Sequence, residues 1–242
     1  MKVLLAIVSC HTREEYSNAV RSTWLPSVPP ELDVKFFRGR GAAREPLSDE
    51  VFLDCDDSYN GLPNKVQEIM RWAYEHGYDY AAKVDDDVVV RPREWYQSFK
   101  RCDFTGCQEA ACRPGEIRTP YGFFYVLSRR TMQMVISAPL PGNPGSTHSH
   151  WHNNDEAFVS TILHINGIRL QHDSRYFMFR GRRIQSTNTK RSLRAPPRIA
   201  MPVDTPPSDW FAICIYLNWS GWHQTPMEVN LGEFKRIWKE SQ

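Results

Sequence analysis

The chain has 242 residues, of which 41% are hydrophobic and 12% aromatic, enough to bury the core of one domain or of a domain with an appendage. Lys and Arg total 30 against 28 Asp and Glu, so the formal net charge of +2 gives no argument for a nucleic acid or a charged membrane as partner. The apolar run Val3–Val8 is too short for a signal-peptide core, and no later run reaches the roughly 18 residues of a membrane span. We therefore expect an ordinary globular chain without a transmembrane segment.

Cysteine spacing gives a weak argument for metal binding. Cys102, Cys107 and Cys112 recur every five residues, but the short Cys-x2-Cys pairs typical of structural zinc sites are missing. Without a secretory signal the six cysteines are expected to be reduced. A local disulfide or buried thiols are favoured over structural zinc.

The first half of the chain alternates predicted strands with predicted helices. Lys2–Ser9 is an almost continuous apolar run, typical of a central parallel strand. Apolar positions between Leu62 and His76 keep helical spacing, and Gly77 follows as a stop. The remaining predicted elements of this half are a helix at Glu14–Trp24 and strands at Val34–Phe37, Val51–Leu53, Tyr80–Val84 and Val88–Val90. This alternation predicts an α/β sheet, which binds ligands at the carboxyl ends of its strands.

The second half is less regular. The predicted elements are a strand at Phe123–Leu127, a helix at Ser128–Ser137, a loop at Pro139–His152 and a helix at Asp155–Ile165. From Arg180 to Arg198 the sequence is basic and rich in turn residues, which indicates an exposed linker or a mobile loop. The Trp-rich tail that follows is expected to pack back on the domain.

Three adjacent acids, Asp85, Asp86 and Asp87, stand between two apolar strand segments. Like charges in a partly buried place raise one another's pKa unless a cation neutralises them. Carboxylate oxygens favour Mg²⁺ or Mn²⁺, and such an ion bridges the phosphates of a nucleotide diphosphate. A solvated acidic turn is the alternative, but such a turn would ordinarily have polar flanks.

Four motifs occur in one order along the chain. They are Arg21-Ser22-Thr23-Trp24, then Asp54 to Asn60 with Leu62 and Lys65, then Lys83-Val84-Asp85-Asp86-Asp87-Val88, and finally Tyr121 to Ser128. Together they resemble the Arg-x-Thr-Trp, Asp-Ser-Tyr-x-Asn-Leu, Lys-x-Asp-Asp-Asp-Val and Tyr-Val-Leu-Ser segments of the β-1,3-galactosyltransferase-like proteins, glycosyltransferase family 31. The last segment is shortened before Gly122. The resemblance covers about Lys2 to Phe179.

The resemblance implies a GT-A fold, a Rossmann-like, mostly parallel sheet flanked by helices, and a UDP-sugar donor with Mn²⁺, or Mg²⁺, as cofactor. It also implies that the anomeric carbon is inverted in a single in-line displacement. We expect residues 1–180 to form the catalytic domain. Residues 181–242 would form a basic loop and a Trp-rich extension packed on the same domain.

An inverting reaction of this kind needs a carboxylate base. The resemblance places it in a Glu-Asp-Val motif, and the nearest match here is Asp155-Glu156-Ala157-Phe158-Val159. The order of the two acids is changed, so Glu156 is favoured as the base and Asp155 stays an alternative. Both acids would also suit a helix N-terminus capped by Asn153 or Asn154.

The predicted metal ligands are Asp85, Asp87 and a late histidine, His172. Asp87 is expected to bind directly, and Asp85 to act through water or to touch the donor. His148, His150, His152 and His164 compete with His172 for the third position. The cluster of residues 148–152 lies in Pro/Gly-rich sequence, which favours a mobile loop on the acceptor side.

Other predicted donor contacts are weaker. They are Ser9, His11, Arg13, Arg21, Asp57, Lys65, Asp85, Asp86 and Gly122. Arg21 would supply charge to the nucleotide or the phosphates, or pair with Asp57 to hold two motifs together. For Asp57 and Tyr59 the same two roles, donor contact and structural support, stay open. Arg180, Arg182 and Arg183 would touch the diphosphate or form a surface patch.

The sequence therefore predicts an inverting hexosyltransferase that moves galactose or N-acetylglucosamine from a UDP-sugar to a hydroxyl of a glycan, glycoprotein or glycolipid, with a β-1,3 linkage favoured. The alternatives are a noncatalytic glycan- or nucleotide-binding domain and a metal-dependent phosphotransferase or nucleotidyltransferase. The start at Met1-Lys2 favours a cytoplasmic enzyme of bacterial or viral type, with the Golgi lumen as the alternative if an anchor was removed.

Overall fold

The computed structural model describes residues 1–41, 43–108, 117–140, 154–180 and 212–216, together with residues 232, 235, 236, 238 and 239. The strands are β1 Val3–Val8, β2 Leu32–Arg38, β3 Glu50–Phe52, β4 Tyr80–Asp85, β5 Val88–Val90, β6 Phe104–Gln108, β7 Pro120–Ser128, β8 Gln171–His172, β9 Tyr176–Arg180 and β10 Ala212–Tyr216. The helices are α1 Glu14–Ser22, α2 Leu62–Glu75, α3 Pro92–Ser98, α4 Arg129–Ser137 and α5 Asp155–Ile165.

The main sheet has seven strands in the order β3-β2-β1-β4-β7-β6-β8. The neighbours from β3 to β4 are parallel, β7 runs antiparallel to both β4 and β6, and β8 is parallel to β6. A mostly parallel sheet flanked by helices confirms the predicted α/β class and agrees with a GT-A-like fold.

Two apolar cores lie on opposite faces of this sheet because side chains alternate along each strand. From β1, Leu5 and Ile7 enter the core that also holds Val20 of α1, whereas Leu4 and Ala6 enter the other core. Helices α2, α4 and α5 pack together over that second face. The strand is buried on both faces, which is why its sequence is an unbroken apolar run.

A smaller sheet begins directly after the acidic triplet. Its order is β5-β10-β9, with β10 antiparallel to β5 and parallel to β9. The strand β10 comes from the predicted C-terminal extension, and Trp238 packs against the core that contains β5. Parts of the extension therefore lie on the same domain as the triplet.

Most predicted elements agree with the structure to within one or two residues, and the predicted stop at Gly77 is confirmed by its φ of +78°. Helix α1 ends at Ser22 instead of Trp24, because Trp24 is buried against the core and its indole Nε1 donates to the carbonyl of Val88 at 3.1 Å. Helix α3 was not predicted, since seven residues that begin with Pro92 show too little periodicity. The strands β6, β9 and β10 were also missed.

Several predictions fall outside the described residues. They concern the loop from residue 141 to 152, the basic segment from residue 181 to 198, and Cys112. Cys102 and Cys107 are a half-buried and a buried thiol, in agreement with the expected thiols. Among the described residues, no helix is long and apolar enough to cross a membrane.

Candidate active site

The acidic triplet lies where two parallel strands of the main sheet end together. In the register of β1 and β4, Val8 is aligned with Asp85. The residues that follow, Ser9 and Asp86, therefore lie side by side at the carboxyl edge of the sheet. This is the edge at which α/β sheets bind ligands, so the triplet stands where the sequence predicted it.

Asp86 is anchored inside the protein. Its side chain is 3% exposed, it accepts a hydrogen bond from Ser9 Oγ at 2.7 Å, and the Arg13 guanidinium lies 2.7 Å away. Burial raises the pKa of Asp86 and the nearby Asp87 raises it further, while Arg13 and Ser9 lower it, leaving it at about 6. The contacts of Asp86 with Ser9 and Arg13 anchor the turn that carries the triplet.

Asp85 and Asp87 are more accessible, with side chains 35% and 29% exposed. Lys83 Nζ lies 2.6 Å from Asp85, and Arg13 lies 3.1 Å from Asp87. Burial raises the pKa of Asp85, Lys83 lowers it, and the negative charges of Asp87 and Asp155 raise it again, to about 7. These two acids repel each other, and a cation between them would relieve that repulsion.

The donor set at the triplet fits a hard divalent cation. Asp85 and Asp87 offer carboxylate oxygens, which Mg²⁺ and Mn²⁺ prefer, and a small number of protein ligands leaves positions for water and phosphate. Within the described part of the chain, no three His, Cys, Asp or Glu side chains are grouped as a metal site. Among the described residues, the structure thus brings together the two predicted carboxylates and no third protein ligand.

The predicted third ligand, His172, lies in the edge strand β8. Its register partner is Gly106, Gly106 is aligned with Tyr125, and Tyr125 is aligned with Lys83. His172 is therefore three strands away from β4, roughly 14 Å at the usual strand spacing. The structure does not bring it to the triplet. Of its competitors, His164 lies in the last turn of α5, and residues 148, 150 and 152 are outside the described residues.

Helix α5 brings its first residues to the same edge. Asp155 is 3% exposed, accepts a hydrogen bond from the hydroxyl of Tyr125 at 2.8 Å, and lies 3.4 Å from Lys83 Nζ. Burial and the charge of Asp155 hold the pKa of Tyr125 well above its ordinary value, so the phenol stays a donor. Asp155 is thus a tethered carboxylate.

Glu156 lies against Gly122, near the start of β7. A Cβ atom built on Gly122 would lie 2.8 Å from Glu156 Oε2, so the absence of a side chain at Gly122 makes room for this carboxylate. Burial raises the pKa of Glu156, the charge of Asp155 raises it further, and Lys83 lowers it, leaving it at about 8. This raised pKa makes Glu156, once it is ionised, a stronger base than an ordinary carboxylate, which suits it to accept a proton.

Tyr59 is an exposed aromatic residue beside these acids. Its side chain is 54% exposed, and partial burial together with Glu156, Asp155 and Asp85 raises its pKa to about 12. A carboxylate raises the pKa of a phenol in this way only from a short distance, so Tyr59 lies at the rim of the candidate site.

The loop after β1 is held by its own set of hydrogen bonds and an ion pair. Asp57 accepts hydrogen bonds from the backbone N–H groups of His11, at 2.8 Å, and Gly39, and pairs with Lys65 at 2.6 Å. Lys65 Nζ also donates to the carbonyl of Ser9 at 3.0 Å. Since Lys65 is buried and already paired, its place in the structure is beneath the loop rather than in open contact with a phosphate.

Arg21 lies in a different cluster from the one that the sequence suggested. It pairs with Asp49 at 2.9 Å and with Glu50 at 2.8 Å, instead of with Asp57. The pairing with Asp57 was wrong because the chain from β2 to β3 brings Asp49 and Glu50 back over α1. Arg180 is described by its backbone alone, and Arg182 and Arg183 lie outside the described residues.

Sequence reasoning missed Lys83 and Tyr125 as site residues, although both belong to recognised motifs. The available signal was a lysine at the centre of an apolar strand, where a charge is costly unless it is paired. The identity of its partners was not readable, because Asp155 is 72 positions further along the chain.

Two comparisons relate this chain to known proteins. A search among curated proteins gives no match. Residues 16–112, which include the first three of the four motifs, match the family model described as Galactosyltransferase. This match confirms the resemblance to the β-1,3-galactosyltransferase-like family over those residues and supports a glycosyltransferase.

Proposed function

We propose that the protein is a metal-dependent, inverting hexosyltransferase that uses a UDP-sugar and a glycan, glycoprotein or glycolipid hydroxyl, with galactose or N-acetylglucosamine as the favoured sugar. The observation that carries the proposal is the meeting of two pairs of acids at one sheet edge. Asp85 and Asp87 come from the end of β4, and Asp155 and Glu156 come from the start of α5.

The triplet suits the donor. Asp85 and Asp87 would hold Mn²⁺ or Mg²⁺, and such an ion supplies positive charge to the diphosphate that leaves the sugar. Asp86, fixed by Ser9 and Arg13, keeps the turn that presents its two neighbours. Ser9, His11 and Arg13 follow β1 at the same edge and are the nearest candidates to contact the nucleotide.

Glu156 suits the acceptor. Asp155 is buried and already accepts from Tyr125 and lies against Lys83, which leaves it poorly placed to take a proton from a substrate. Glu156 is less buried and has a pKa raised by its surroundings. We therefore assign Glu156 to take the proton of the acceptor hydroxyl as its oxygen attacks the anomeric carbon and the bond to the UDP oxygen breaks.

The first experiment is a donor screen that measures free UDP. Wild-type protein is incubated with UDP-sugars and a mixture of acceptors, with Mn²⁺ or with EDTA, and thermal shifts with UDP, GDP and nucleoside triphosphates are recorded in parallel. We expect stabilisation by UDP that requires Mn²⁺, and UDP release from one UDP-hexose. Stabilisation without any release would instead favour a noncatalytic binding domain, and a preference for triphosphates would favour a phosphotransferase.

Asp87→Ala tests the donor end. We expect UDP release to fall at least 100-fold at saturating Mn²⁺, together with the loss of the Mn²⁺-dependent UDP shift, because a carboxylate ligand is removed. Asp79→Asn is the matched control, since Asp79 lies at the opposite end of β4 and accepts from the backbone N–H of Lys2. Full activity in Asp87→Ala would contradict the metal assignment.

Glu156→Gln tests the acceptor end. This change keeps the size of the side chain and removes its basicity, so we expect transfer to fall 100-fold or more while the UDP shift stays within 1 °C or so of wild type. Asp155→Asn is made beside it and should mainly lower stability. If Asp155→Asn abolishes transfer in a stable protein and Glu156→Gln does not, the two roles are reversed.

A further inference from the structure

A lysine lies in the interior of the main sheet, at the centre of the candidate site. Lys83 belongs to β4, between β1 and β7, and is 1% exposed. Its neighbours along the strand, Ala82 and Val84, are fully buried apolar residues. A charge buried there needs an ionic or hydrogen-bonding partner within contact distance, because its desolvation costs free energy.

The partners of Lys83 come from three different elements. Its Nζ lies 2.6 Å from Asp85 on its own strand and 3.4 Å from Asp155 on α5, and it donates to the carbonyl of Gly122 on β7. One ammonium therefore joins the triplet, the helix that carries Glu156, and the backbone at the glycine against which Glu156 lies.

The same three elements are tied by a second route. Tyr125 is the cross-strand partner of Lys83 on β7, and its hydroxyl donates to the Asp155 oxygen, Oδ2, that also faces Lys83. Tyr125 and Lys83 thus hold one carboxylate oxygen from two directions. This arrangement fixes the first residue of α5 and, with it, the direction in which the next residue, Glu156, leaves the helix.

Stability is a weak explanation for a buried ion pair of this kind. Apolar side chains of similar volume are often as stabilising in a protein interior, so what the pair joins is the more informative observation. Here the two carboxylates held by Lys83 belong to the two halves of the site. Asp85 is on the donor side and Asp155 is next to the base.

We propose that Lys83 is a positioning residue that couples the donor half of the site to the acceptor half, by holding Asp85 and Asp155 at a fixed distance through one buried ammonium. The proposal rests on the proposed function for its catalytic consequence, but the link itself is a property of the fold. Lys83 acts through Asp85 and Asp155 and does not touch the reacting atoms.

The link is tested by stability, without any assay of activity. Lys83→Met leaves Asp155 buried without its cation, and we expect the Tm to fall by roughly 10 °C. Adding Asp155→Asn removes the carboxylate that was left unpaired, so the double variant should recover at least a third of that fall. If the Tm changes of Lys83→Met and Asp155→Asn simply add in the double variant, the link is overturned, independently of any catalytic activity.

The catalytic consequence is tested by rates in two backgrounds. Lys83→Met should lower kcat for UDP release about 100-fold in the wild-type background, since a displacement of about 1 Å in a catalytic group costs that much. In the Glu156→Gln background the same change should lower the remaining rate by a clearly smaller factor, because only Asp85 and the donor half are then left to position. An equal loss in both backgrounds, or a kcat within 3-fold of wild type, would overturn the positioning role.

Lys65→Met is the matched control. Among the described residues, Lys65 is the other buried lysine with a short ion pair, to Asp57 at 2.6 Å, but it supports the loop after β1 instead of α5. We expect it to lower the Tm by a similar amount, with the same fractional effect on rate in the wild-type and Glu156→Gln backgrounds. If wild-type protein releases no UDP from any donor, the proposed function fails, and the Tm comparison still decides the link.

Discussion

Neighbouring acids in this protein differ in what surrounds them, and the difference assigns their roles. Asp86 is enclosed by Ser9 and Arg13, whereas Asp85 and Asp87 on either side of it keep about a third of their side chains exposed. The same contrast separates Asp155, which is tethered, from Glu156. Carboxylates of the same chemistry therefore have different roles: the enclosed ones are anchors, and the more exposed ones beside them are candidate ligands or bases.

Tyr125→Phe tests the tether on Asp155. The change removes a hydroxyl that donates to a buried carboxylate, so we expect a loss of about 1.5–3 kcal/mol in the free energy of unfolding by urea. Because Asp155 then moves more freely, UDP release should also fall.

Tyr176→Phe is a matched control for this prediction. Tyr176 is a buried tyrosine whose hydroxyl accepts from Trp95 Nε1 at 3.0 Å, in the other apolar core. This variant should lose stability and keep its activity per folded molecule. Equal losses of activity in the two variants would contradict a specific role for the Tyr125 hydroxyl.

At the scale of elements, α5 is a short helix whose N-terminus carries the candidate base. Asn154 caps it, since its side-chain oxygen accepts from the backbone N–H of Ala157 at 2.8 Å. Of the two predicted caps, the structure uses Asn154. The cap and the helix dipole both favour the acids in the first turn, so the helix start is also an electrostatic part of the site.

Asn154→Ala should remove about 1 kcal/mol of stability and lower kcat several-fold, because the first turn that carries Glu156 frays. Stability is measured by urea unfolding, and kcat by UDP release. Asn154→Asp keeps the capping oxygen and should restore both. Asn166→Ala is the control at the other end of α5, where the Asn166 side chain donates to the carbonyl of Ile162 at 2.8 Å. A loss of kcat as large in Asn166→Ala would show that any weakening of the helix suffices.

At the scale of the whole molecule, a buried ion cluster joins α1 to β2 and β3. Glu50 has a fully buried side chain and pairs with Arg21 at 2.8 Å, Arg44 at 2.7 Å and Arg38 at 3.4 Å. Burial alone would raise the pKa of Glu50, but the hydrogen bonds from Arg44, the backbone N–H of Leu47 and Arg21 lower it to about 2. Buried hydrogen bonds from Arg38 to Ser17 and between Ser17 and Ser9 connect this cluster to Asp86.

This cluster predicts acid sensitivity. The pKa of Glu50 is about 2 in the folded state against its ordinary value of 4.5 in the unfolded chain, so the folded protein binds this proton more weakly. The resulting stabilisation, about 3 kcal/mol, is fully present above pH 4.5 and is lost as the pH falls toward 2. Urea unfolding between pH 6 and pH 2.5 or so measures it.

Glu50→Gln should be less stable at neutral pH, because three arginines each lose one of their carboxylate partners, and its stability should depend less on pH in the acid range. Asp54→Asn, which alters an exposed pair with Arg40, should follow the wild-type curve. An unchanged acid slope in Glu50→Gln would show that other carboxylates dominate the acid transition.

The sequence by itself determined the elements whose signal is local. Three such features depend only on neighbouring residues, and the structure confirms them. They are the unbroken apolar run of β1, the helical spacing of α2 with its stop at Gly77, and the acidic triplet at the end of β4. The same holds for the placement of the triplet at a sheet edge, because parallel strands end at a common edge.

Only the tertiary structure decided which residues meet across the chain. It paired Arg21 with Asp49 and Glu50 instead of Asp57, kept His172 three strands from the triplet, and brought Lys83 to Asp155. Hydrogen bonds and ion pairs act over a few ångströms, and which groups come that close depends on strand order and helix packing. Those depend on the burial of the entire apolar surface, a property that no single motif contains.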